Sequence, residues 1–254
     1  MKISIIITTL GQRCSLFEAI DSAVKQTYSN KEIIIINDGP DNGLRRKITR
    51  EYPDLIYFCD GVNRGGNGAR KKGVEIATGG YISFLDDDDL LLPEKLTLLS
   101  KEINGTVSSN VISGLTIRRC GNDFLLKPSS RKNKYSLSDV KYFHTGSSII
   151  QREYILREEL LPDLPKYQDT YFYSLSILKD AVTLIREPVC IWRREINHQG
   201  ITTLSTLGDY KRSLIAFRKM QYLILQNSDL GLKYRIYFFW LLFKHSISVR
   251  KLFY

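Results

Sequence analysis

The first half of the chain alternates apolar runs with segments that are apolar at helical spacing. The runs at residues 3–7, 32–36 and 81–85 are rich in β-branched residues, which is typical of strands buried on both faces of a parallel sheet. Residues 15–26 lie between the first two runs and are apolar on one helical face. This pattern predicts β-α-β units and an α/β fold, in which helices flank a mostly parallel, Rossmann-like central sheet.

The order of the predicted elements becomes less regular in the second half. The remaining segments are predicted as strands at 55–59, 107–119 with an interruption at Gly114, 147–150, 182–185 and 189–193, and as helices at 66–77, 93–103, 168–178, 209–226 and 230–246. The chain has no internal repeat and no low-complexity linker. We therefore predict one domain over residues 1–207, divided near residue 103, and a C-terminal helical extension over residues 208–254.

Polar residues stand at the carboxyl ends of the predicted strands. Thr8 and Thr9 end the first strand, Asp38 follows the second, and aspartates occupy all of residues 86–89, directly after the strand at 81–85. In open α/β sheets, ligands bind at the carboxyl ends of the strands. The sequence therefore predicts a binding site at this edge of the sheet.

The aspartate run at residues 86–89 predicts a cation. Adjacent carboxylates oppose each other's ionisation unless a cation lies among them, and hard oxygen ligands suit Mg²⁺ or Mn²⁺. The alternative is a solvated loop before the helix near Pro93. For Asp89 this alternative stays open, because the residue could simply help to start that helix. The preceding buried strand favours the site, because it delivers the acids to a fixed point.

The charge distribution adds an expectation about partners. The formal net charge is +10 and the pI about 9.3, which indicates an anionic partner such as nucleic acid, phospholipid or a phosphorylated substrate. Nine lysines and arginines oppose two aspartates in residues 208–254, so seven of the ten net charges lie there. Interleaved with aliphatic and aromatic residues, they predict amphipathic helices on an anionic membrane surface. A packed helical pair with solvated basic residues is the alternative.

The cysteines and the apolar segments give an expectation about location. The four cysteines lie far apart and form no CxxC pair, so neither a disulfide framework nor a zinc site is indicated. No run reaches the ~20 apolar residues of a transmembrane helix, and the N-terminal apolar run is shorter than a signal peptide. We expect a cytoplasmic protein, which the basic segment at 208–254 would hold at a membrane surface.

Four sequence motifs follow one another in the first part of the chain. They are Ser-Ile-Ile-Ile-Thr-Thr-Leu at 4–10, Ile-Ile-Ile-Asn-Asp-Gly at 34–39, Asn-Arg-Gly at 63–65 with Ala69 and Arg70, and the strand with its aspartates at 81–89. Together they resemble glycosyltransferase family 2, an inverting family with the GT-A fold. The resemblance covers about the first 200 residues, and it implies a nucleotide-binding half at 1–103 and an acceptor-binding half at 104–207.

The resemblance assigns residues to a donor site. Asp38 would contact the uracil or ribose, and Asp86 would face the ribose. Arg70 can pair with phosphate or pack against the base. Asp88 would bind the Mn²⁺ or Mg²⁺ that bridges the diphosphate. The residues assigned to nucleotide-sugar binding are Thr8, Thr9, Leu10, Asp38, Asn63, Gly65, Arg70, Asp86 and Asp87.

A second assignment concerns the base that inverting transfer needs to accept the proton of the acceptor hydroxyl. The family places a carboxylate for this role at the start of a helix in the second half, where residues 167–172 match, so the resemblance implies Asp169. Gln168 departs from the usual acidic partner, which bears on the orientation of Asp169. Capping of the following helix is the alternative role for Asp169.

Two further segments carry weaker assignments. Residues 192–194 with 197–198 resemble a late motif that closes over the diphosphate, which implies His198 as a metal ligand beside Asp88. Residues 145–148 resemble a segment that lines the donor sugar pocket. His144 has no supporting context in the sequence.

The implied activity is metal-dependent, inverting transfer of a hexose or N-acetylhexosamine from a UDP-sugar to a saccharide acceptor. The acceptor is expected to be polyprenyl-diphosphate-linked, in cell-surface polysaccharide or O-antigen synthesis. A sugar-phosphate nucleotidyltransferase is one alternative, although only Gly11-Gln12-Arg13 stands where its glycine-rich, basic signature is expected. A nucleic-acid-binding protein would fit the basic pI but leaves the acids at the strand ends unexplained. We therefore expect no nucleic-acid partner.

Overall fold

One mixed sheet runs through the chain. The structure, a computed structural model, describes residues 1–104, 109–120, 122–126, 135, 137–193 and 207–226. Within these ranges the strands are β1 (Ile3–Thr9), β2 (Lys31–Asn37), β3 (Ile56–Phe58), β4 (Tyr81–Asp86), β5 (Leu90–Leu91), β6 (Val111–Cys120), β7 (Asn122–Leu126), β8 (Ser148–Gln151) and β9 (Val182–Arg193). They are ordered β3-β2-β1-β4-β8-β6-β9-β5, and β7 pairs with β6 beside this path.

Helices lie on both faces of this sheet. They are α1 (Leu16–Val24), α2 (Leu44–Glu51), α3 (Gly65–Ile76), α4 (Lys95–Lys101), α5 (Arg152–Arg157), α6 (Gln168–Leu178) and α7 (Leu207–Gln226). Short 3₁₀ turns occur at Glu102–Asn104, Leu137–Tyr142 and Thr145–Ser147. The predicted α/β fold class is confirmed.

Strands β1 to β4 are all parallel, and the carboxyl ends of β1, β2 and β4 lie level. In the register of the sheet, Thr8 of β1 is opposite both Ile36 of β2 and Asp86 of β4. Asp38 comes two residues after Ile36. The parallel pairing therefore brings Asp38 and Asp86 to the same edge of the sheet, as the sequence predicts.

The second half of the sheet is mixed. Strand β8 is antiparallel to both β4 and β6, while β6 and β9 run parallel. The two strands predicted at 182–185 and 189–193 form one continuous strand, β9. Its pairing with β6 changes register on either side of Leu115, next to Gly114. The gap between the two predicted strands is therefore a β-bulge, which lets β9 bend without ending.

Two apolar cores lie on opposite faces of the sheet because successive side chains of a strand point to opposite sides. Ile6 of β1 belongs to the core beneath α3 and α6, with Val74 and Phe172. Ile5 and Ile7 belong to the other core, beneath α1 and α4. The β-branched runs are thus buried on both faces of the sheet. This burial holds the strands in place and with them the edge that carries the aspartates.

Helix α7 packs on the domain. Ala216, Met220 and Ile224 are buried, and Met220 and Ile224 are part of the core that contains α6. Across the described ranges, no helix combines the length and apolar character needed to cross a membrane. The rest of the predicted tail, 227–254, lies outside the described residues, and the domain boundary at 207 stays a prediction.

Candidate active site

The loop after β2 and the start of α3 meet through Asp38. Its side chain is buried, and both carboxylate oxygens accept the backbone N–H of Arg64 at 2.9 Å. Gly39 follows in close contact with the end of β1, where an added Cβ would lie 2.4 Å from the carbonyl oxygen of Leu10. A glycine is therefore required here, because a larger residue would push the loop that carries Asp38 away from the strand edge.

Asp86, the last residue of β4, forms an ion pair with Arg70 of α3. The Nη2 of Arg70 lies 2.7 Å from Oδ1 of Asp86. Burial would raise the pKa of Asp86, but Arg70, together with His144, outweighs burial and lowers it. Asp86 is therefore held ionised at the carboxyl end of β4.

Asp87 and Asp88 share the cation of Arg13. Asp87 accepts the hydroxyl of Thr9 at 2.6 Å and Nη1 of Arg13 at 3.0 Å, and the same Nη1 contacts Asp88. Burial and Asp86 nevertheless raise the pKa of Asp88, and burial also raises that of Asp87. Protonation of these two carboxylates is thus favoured mainly by their burial, although Arg13 contacts both of them.

Asp89 does not start the next helix, as one interpretation of the sequence had it. Its side chain is buried, Oδ1 accepts the backbone N–H of Arg193 at 2.9 Å, and α4 begins only at Lys95. Burial raises the pKa of Asp89 to about 7. The physical reason is that strand β9 packs over the aspartates and brings Arg193 to Asp89. The local sequence around Asp89 predicts only a loop, because this contact comes from a distant strand.

His144, which had no context in the sequence, faces Asp89. Its Nε2 lies 3.4 Å from Oδ2 of Asp89, and its ring stacks on Trp192 at a centroid distance of 5.4 Å. Burial disfavours the charged ring, but Asp89 raises the pKa of His144 to about 10. Gly146 donates its N–H to Nδ1 at 3.2 Å, which only the neutral ring with its proton on Nε2 can accept. Charging the ring would keep the Nε2 proton toward Asp89 and break the hydrogen bond from Gly146. The 3₁₀ turn at residues 145–147, which supplies this hydrogen bond, was not predicted.

The donor set fits a divalent cation. Asp86, Asp89 and His144 each offer a ligand atom, and these atoms lie within 4.8 Å of one another. The carboxylates are hard ligands of the kind that Mg²⁺ and Mn²⁺ take. His144 with its proton on Nε2 supports Asp89 by a hydrogen bond, and metal ligation through Nε2 would require loss of that proton.

Asp169 stands at the second position of α6, and Thr145 fixes its orientation. The hydroxyl of Thr145 donates to Oδ1 of Asp169 at 2.8 Å. The N-cap of α6 is Tyr167, so the capping role considered for Asp169 is wrong. Burial disfavours charge on Arg70 and His144, but nearby carboxylates, Asp169 among them, raise the pKa of both groups. Asp169 therefore lies near Arg70 and His144, the groups that pair with Asp86 and Asp89.

The remaining predicted residues are placed as follows. Thr8, the residue before the end of β1, is paired with Asp86, and Leu10 is exposed on the following loop. Asn63 accepts the backbone N–H of Gly65 at 3.2 Å, which closes a turn before α3. His198 lies outside the described residues.

The comparison with protein-family models matches residues 4–163 to "Glycosyl transferase family 2". An uncharacterized glycosyltransferase of Rickettsia felis is 39% identical over 216 residues, which are 80% of this chain and 36% of the relative. An uncharacterized glycosyltransferase of Rickettsia typhi is 34% identical over 229 residues, which are 85% of this chain and 71% of the relative. The chain thus spans about a third of the length of the first of these relatives.

Solved structures share the fold. Residues 1–349 of Staphylococcus aureus TarS in complex with UDP-GlcNAc match with a TM-score of 0.70 at 15% identity, over 92% of this chain and 69% of that one. The mannosyltransferase PcManGT of Pyrobaculum calidifontis, in complex with GDP-Man and Mn²⁺, matches with a TM-score of 0.63 at 15% identity, over 96% and 69% of the two chains. These likenesses establish the GT-A fold. Since the family match covers well over half of the sequence and spans the strand edge with its aspartates, the chain belongs to glycosyltransferase family 2.

Proposed function

We propose that the protein transfers a hexose or N-acetylhexosamine from a UDP-sugar to a saccharide acceptor, with inversion at the anomeric carbon and with a divalent cation. One observation carries the proposal. Asp86, held ionised by Arg70, and Asp88 stand at the end of β4, while Asp169, a carboxylate that Thr145 orients, follows Gln168, which contacts the same arginine. Inverting transfer needs these two kinds of acid, one group for the leaving diphosphate and one for the attacking hydroxyl.

The donor site is proposed at the edge formed by β1, β2 and β4. Asp38 and Asp86 are the hydrogen-bond acceptors proposed for the base or ribose of the nucleotide, and Thr8, Thr9 and Leu10 line the nucleoside beside them. A divalent cation held by Asp88, with His198 as a further proposed ligand, would neutralise the departing diphosphate. The complexes of TarS with UDP-GlcNAc and of PcManGT with GDP-Man and Mn²⁺ support a nucleotide-sugar donor and a metal.

Asp169 is proposed as the general base. Thr145 donates to one of its two carboxylate oxygens, which leaves the other available to accept a proton from an acceptor hydroxyl. A carboxylate that is oriented before the acceptor binds loses little entropy when the reaction occurs. Thr145 is accordingly proposed to orient the base.

The proposed acceptor is linked to a polyprenyl diphosphate at an anionic membrane surface, in cell-surface polysaccharide synthesis. The support is the outer face of α7, where Ile215 is 66% and Tyr222 58% exposed beside the exposed Arg218 and Lys219. Apolar and basic side chains that share one exposed helical face suit an anionic lipid interface. The location proposed is the cytoplasmic face of the membrane.

A donor screen tests the proposal. The chain is incubated with UDP- and GDP-linked hexoses and N-acetylhexosamines, with Mn²⁺, with Mg²⁺ or with EDTA. Nucleotide release and the shift of the thermal unfolding midpoint are measured for each. We expect stabilisation and release with a UDP-sugar and a divalent cation, and neither with EDTA. Pyrophosphate release from a nucleoside triphosphate and a sugar phosphate would instead identify a nucleotidyltransferase.

A further inference from the structure

Gln168, at the first position of α6, bridges the two halves of the site through both ends of its amide. Its Nε2 donates to the carbonyl oxygen of Leu164 at 2.7 Å. Its Oε1 accepts Nη1 of Arg70 at 2.8 Å. One side chain thus satisfies a backbone acceptor in the loop before α6 and a cation on α3.

This geometry requires a side chain that donates at one end and accepts at the other. An ionised carboxylate only accepts, so glutamate in the same place would set an anionic oxygen against the Leu164 carbonyl. It would also add a second anion around Arg70, which already pairs with Asp86. The amide therefore keeps the charge of Arg70 directed at Asp86.

The first turn of α3 fits around this amide. A Cβ added at Gly66 would lie 3.0 Å from Oε1 of Gln168. Beside it, Nδ2 of Asn67 donates to the carbonyl oxygen of Pro162 at 2.8 Å. Two hydrogen bonds and one close contact therefore connect the start of α3 to the segment that leads into α6.

We propose that Gln168 is a positioning residue, whose neutral amide sets the Arg70–Asp86 pair of the donor site and the start of α6 that carries Asp169. This inference rests on the proposed function. It also explains the departure of this sequence from an acidic residue at position 168: the side chain faces a backbone carbonyl and therefore must donate a hydrogen bond.

The test compares Gln168→Glu with Gln168→Ala and uses Gln226→Glu, at the exposed end of α7, as the matched control. The dissociation constant of UDP with Mn²⁺ is measured by calorimetry between about pH 8 and about pH 4, because the ordinary glutamate pKa is about 4.3 and Arg70 opposes protonation. We expect Gln168→Glu to weaken binding about tenfold at the higher pH. The ratio to wild type should fall as pH falls, because a protonated carboxyl donates and accepts as the amide does. Arg70, Asp86 and Asp169 face or adjoin this position and set where protonation occurs.

The Gln168→Ala ratio should not vary with pH, because alanine carries no titratable group, and the control should bind like wild type throughout. A pH-independent ratio for Gln168→Glu, or binding equal to wild type, would overturn the positioning role. If the wild-type chain does not bind UDP, the proposed function fails and the inference fails with it. UDP binding by wild type with no effect of the variants contradicts the inference alone.

A double-mutant cycle with Gly66→Ala gives an independent readout. The three atoms nearest to the added methyl all belong to the Gln168 amide, so Gly66→Ala should weaken UDP binding a few-fold in the wild-type background and have no effect in the Gln168→Ala background. Equal effects in both backgrounds would show that Gly66 does not act through Gln168 and would contradict the proposed packing.

Discussion

The two proposed chemical groups of the site are held in place by different means. Asp38 and Asp86 stand at the ends of parallel strands, and the hydrogen-bonded register of β1, β2 and β4 sets their relative height. Asp169 stands at the start of a helix that side chains hold from separate elements: Thr145, Arg70 and, through Tyr167, Ser213 of α7. The donor edge is thus built by backbone pairing and the base by side-chain contacts.

Tyr167 shows what this difference implies for the base. Its φ is +63°, in the left-handed region, and its hydroxyl lies 2.6 Å from that of Ser213. A non-glycine residue in this region costs about 1 kcal/mol or more and persists only where its surroundings hold it. Single side-chain changes should therefore disturb the base readily, whereas the donor edge should yield only to changes in its own charged groups.

The largest effect is expected for Asp88→Ala, which removes the carboxylate proposed for the cation from the backbone-built edge. Metal-dependent turnover should fall on the order of 10³-fold, because charge on the leaving diphosphate would no longer be offset. Initial rates across a Mn²⁺ titration measure this, with Asp54→Ala at an exposed loop position as the control. Turnover that keeps its metal dependence in Asp88→Ala would remove this residue from the cation site.

Arg70→Met should disturb both the donor edge and the start of α6, because the guanidinium contacts both Asp86 and Gln168. We expect UDP affinity and turnover to fall about 10- to 100-fold, since the change leaves the charge of the half-buried Asp86 without its partner. Arg70→Lys keeps the charge but loses the forked geometry, so it should recover affinity more than turnover. Equal recovery of the two quantities would show that the link to α6 has no part in catalysis.

Thr145→Val should affect only the orientation of Asp169, the proposed base. It removes the hydroxyl that donates to Asp169 and nearly preserves volume, so the turnover number should fall about tenfold while the dissociation constant of UDP changes less than about twofold. Steady-state kinetics and calorimetry separate the two quantities, and Thr49→Val on the exposed face of α2 serves as the control. A change confined to UDP affinity would place Thr145 in the donor site instead.

The smallest effect on turnover is expected for Lys95→Met, beneath the donor half. Lys95 is fully buried and donates to Ser83 at 2.6 Å, and burial lowers its pKa from 10.5 to about 7. The unfolded chain binds this proton more tightly, so wild-type stability should rise between about pH 7 and about pH 10, and it is lowest on this account below pH 7. The variant should be more stable by about 2 to 4 kcal/mol near pH 6, with the gap closing as pH rises.

Urea unfolding of wild type and Lys95→Met at several pH values measures that gap. Turnover should stay within about twofold, because Lys95 contacts no group assigned to the reaction. A stability difference that does not depend on pH would mean that the lysine is not charged differently in the folded and unfolded chains.

The same contrast explains what sequence reasoning finds. The β-branched runs in the sequence predict the parallel strands. The order of these strands along the chain is then enough to predict that Thr8, Asp38 and Asp86 lie at one edge of the sheet. Local pattern and topology suffice there, because backbone pairing converts sequence position directly into spatial position.

The contacts around the base and the last aspartate could not be found in this way. The pairing of His144 with Asp89, and of Arg193 with the same carboxylate, depends on β9 folding back over the aspartates along a bulged register. The hydrogen bond from Arg70 to Gln168 joins residues on different helices. Such contacts follow from tertiary packing, and the one available signal was the amide at position 168, where an acid is usual.

The most direct test of the account is to separate chemistry from donor binding at Asp169. With the UDP-sugar and cation identified by the screen, Asp169→Asn should lower the turnover number about 10²-fold, while the dissociation constant of UDP, measured by calorimetry, stays within about twofold of wild type. Turnover close to wild type, or a loss confined to UDP binding, would contradict the proposal that the acceptor's proton is taken by a base separate from the donor edge.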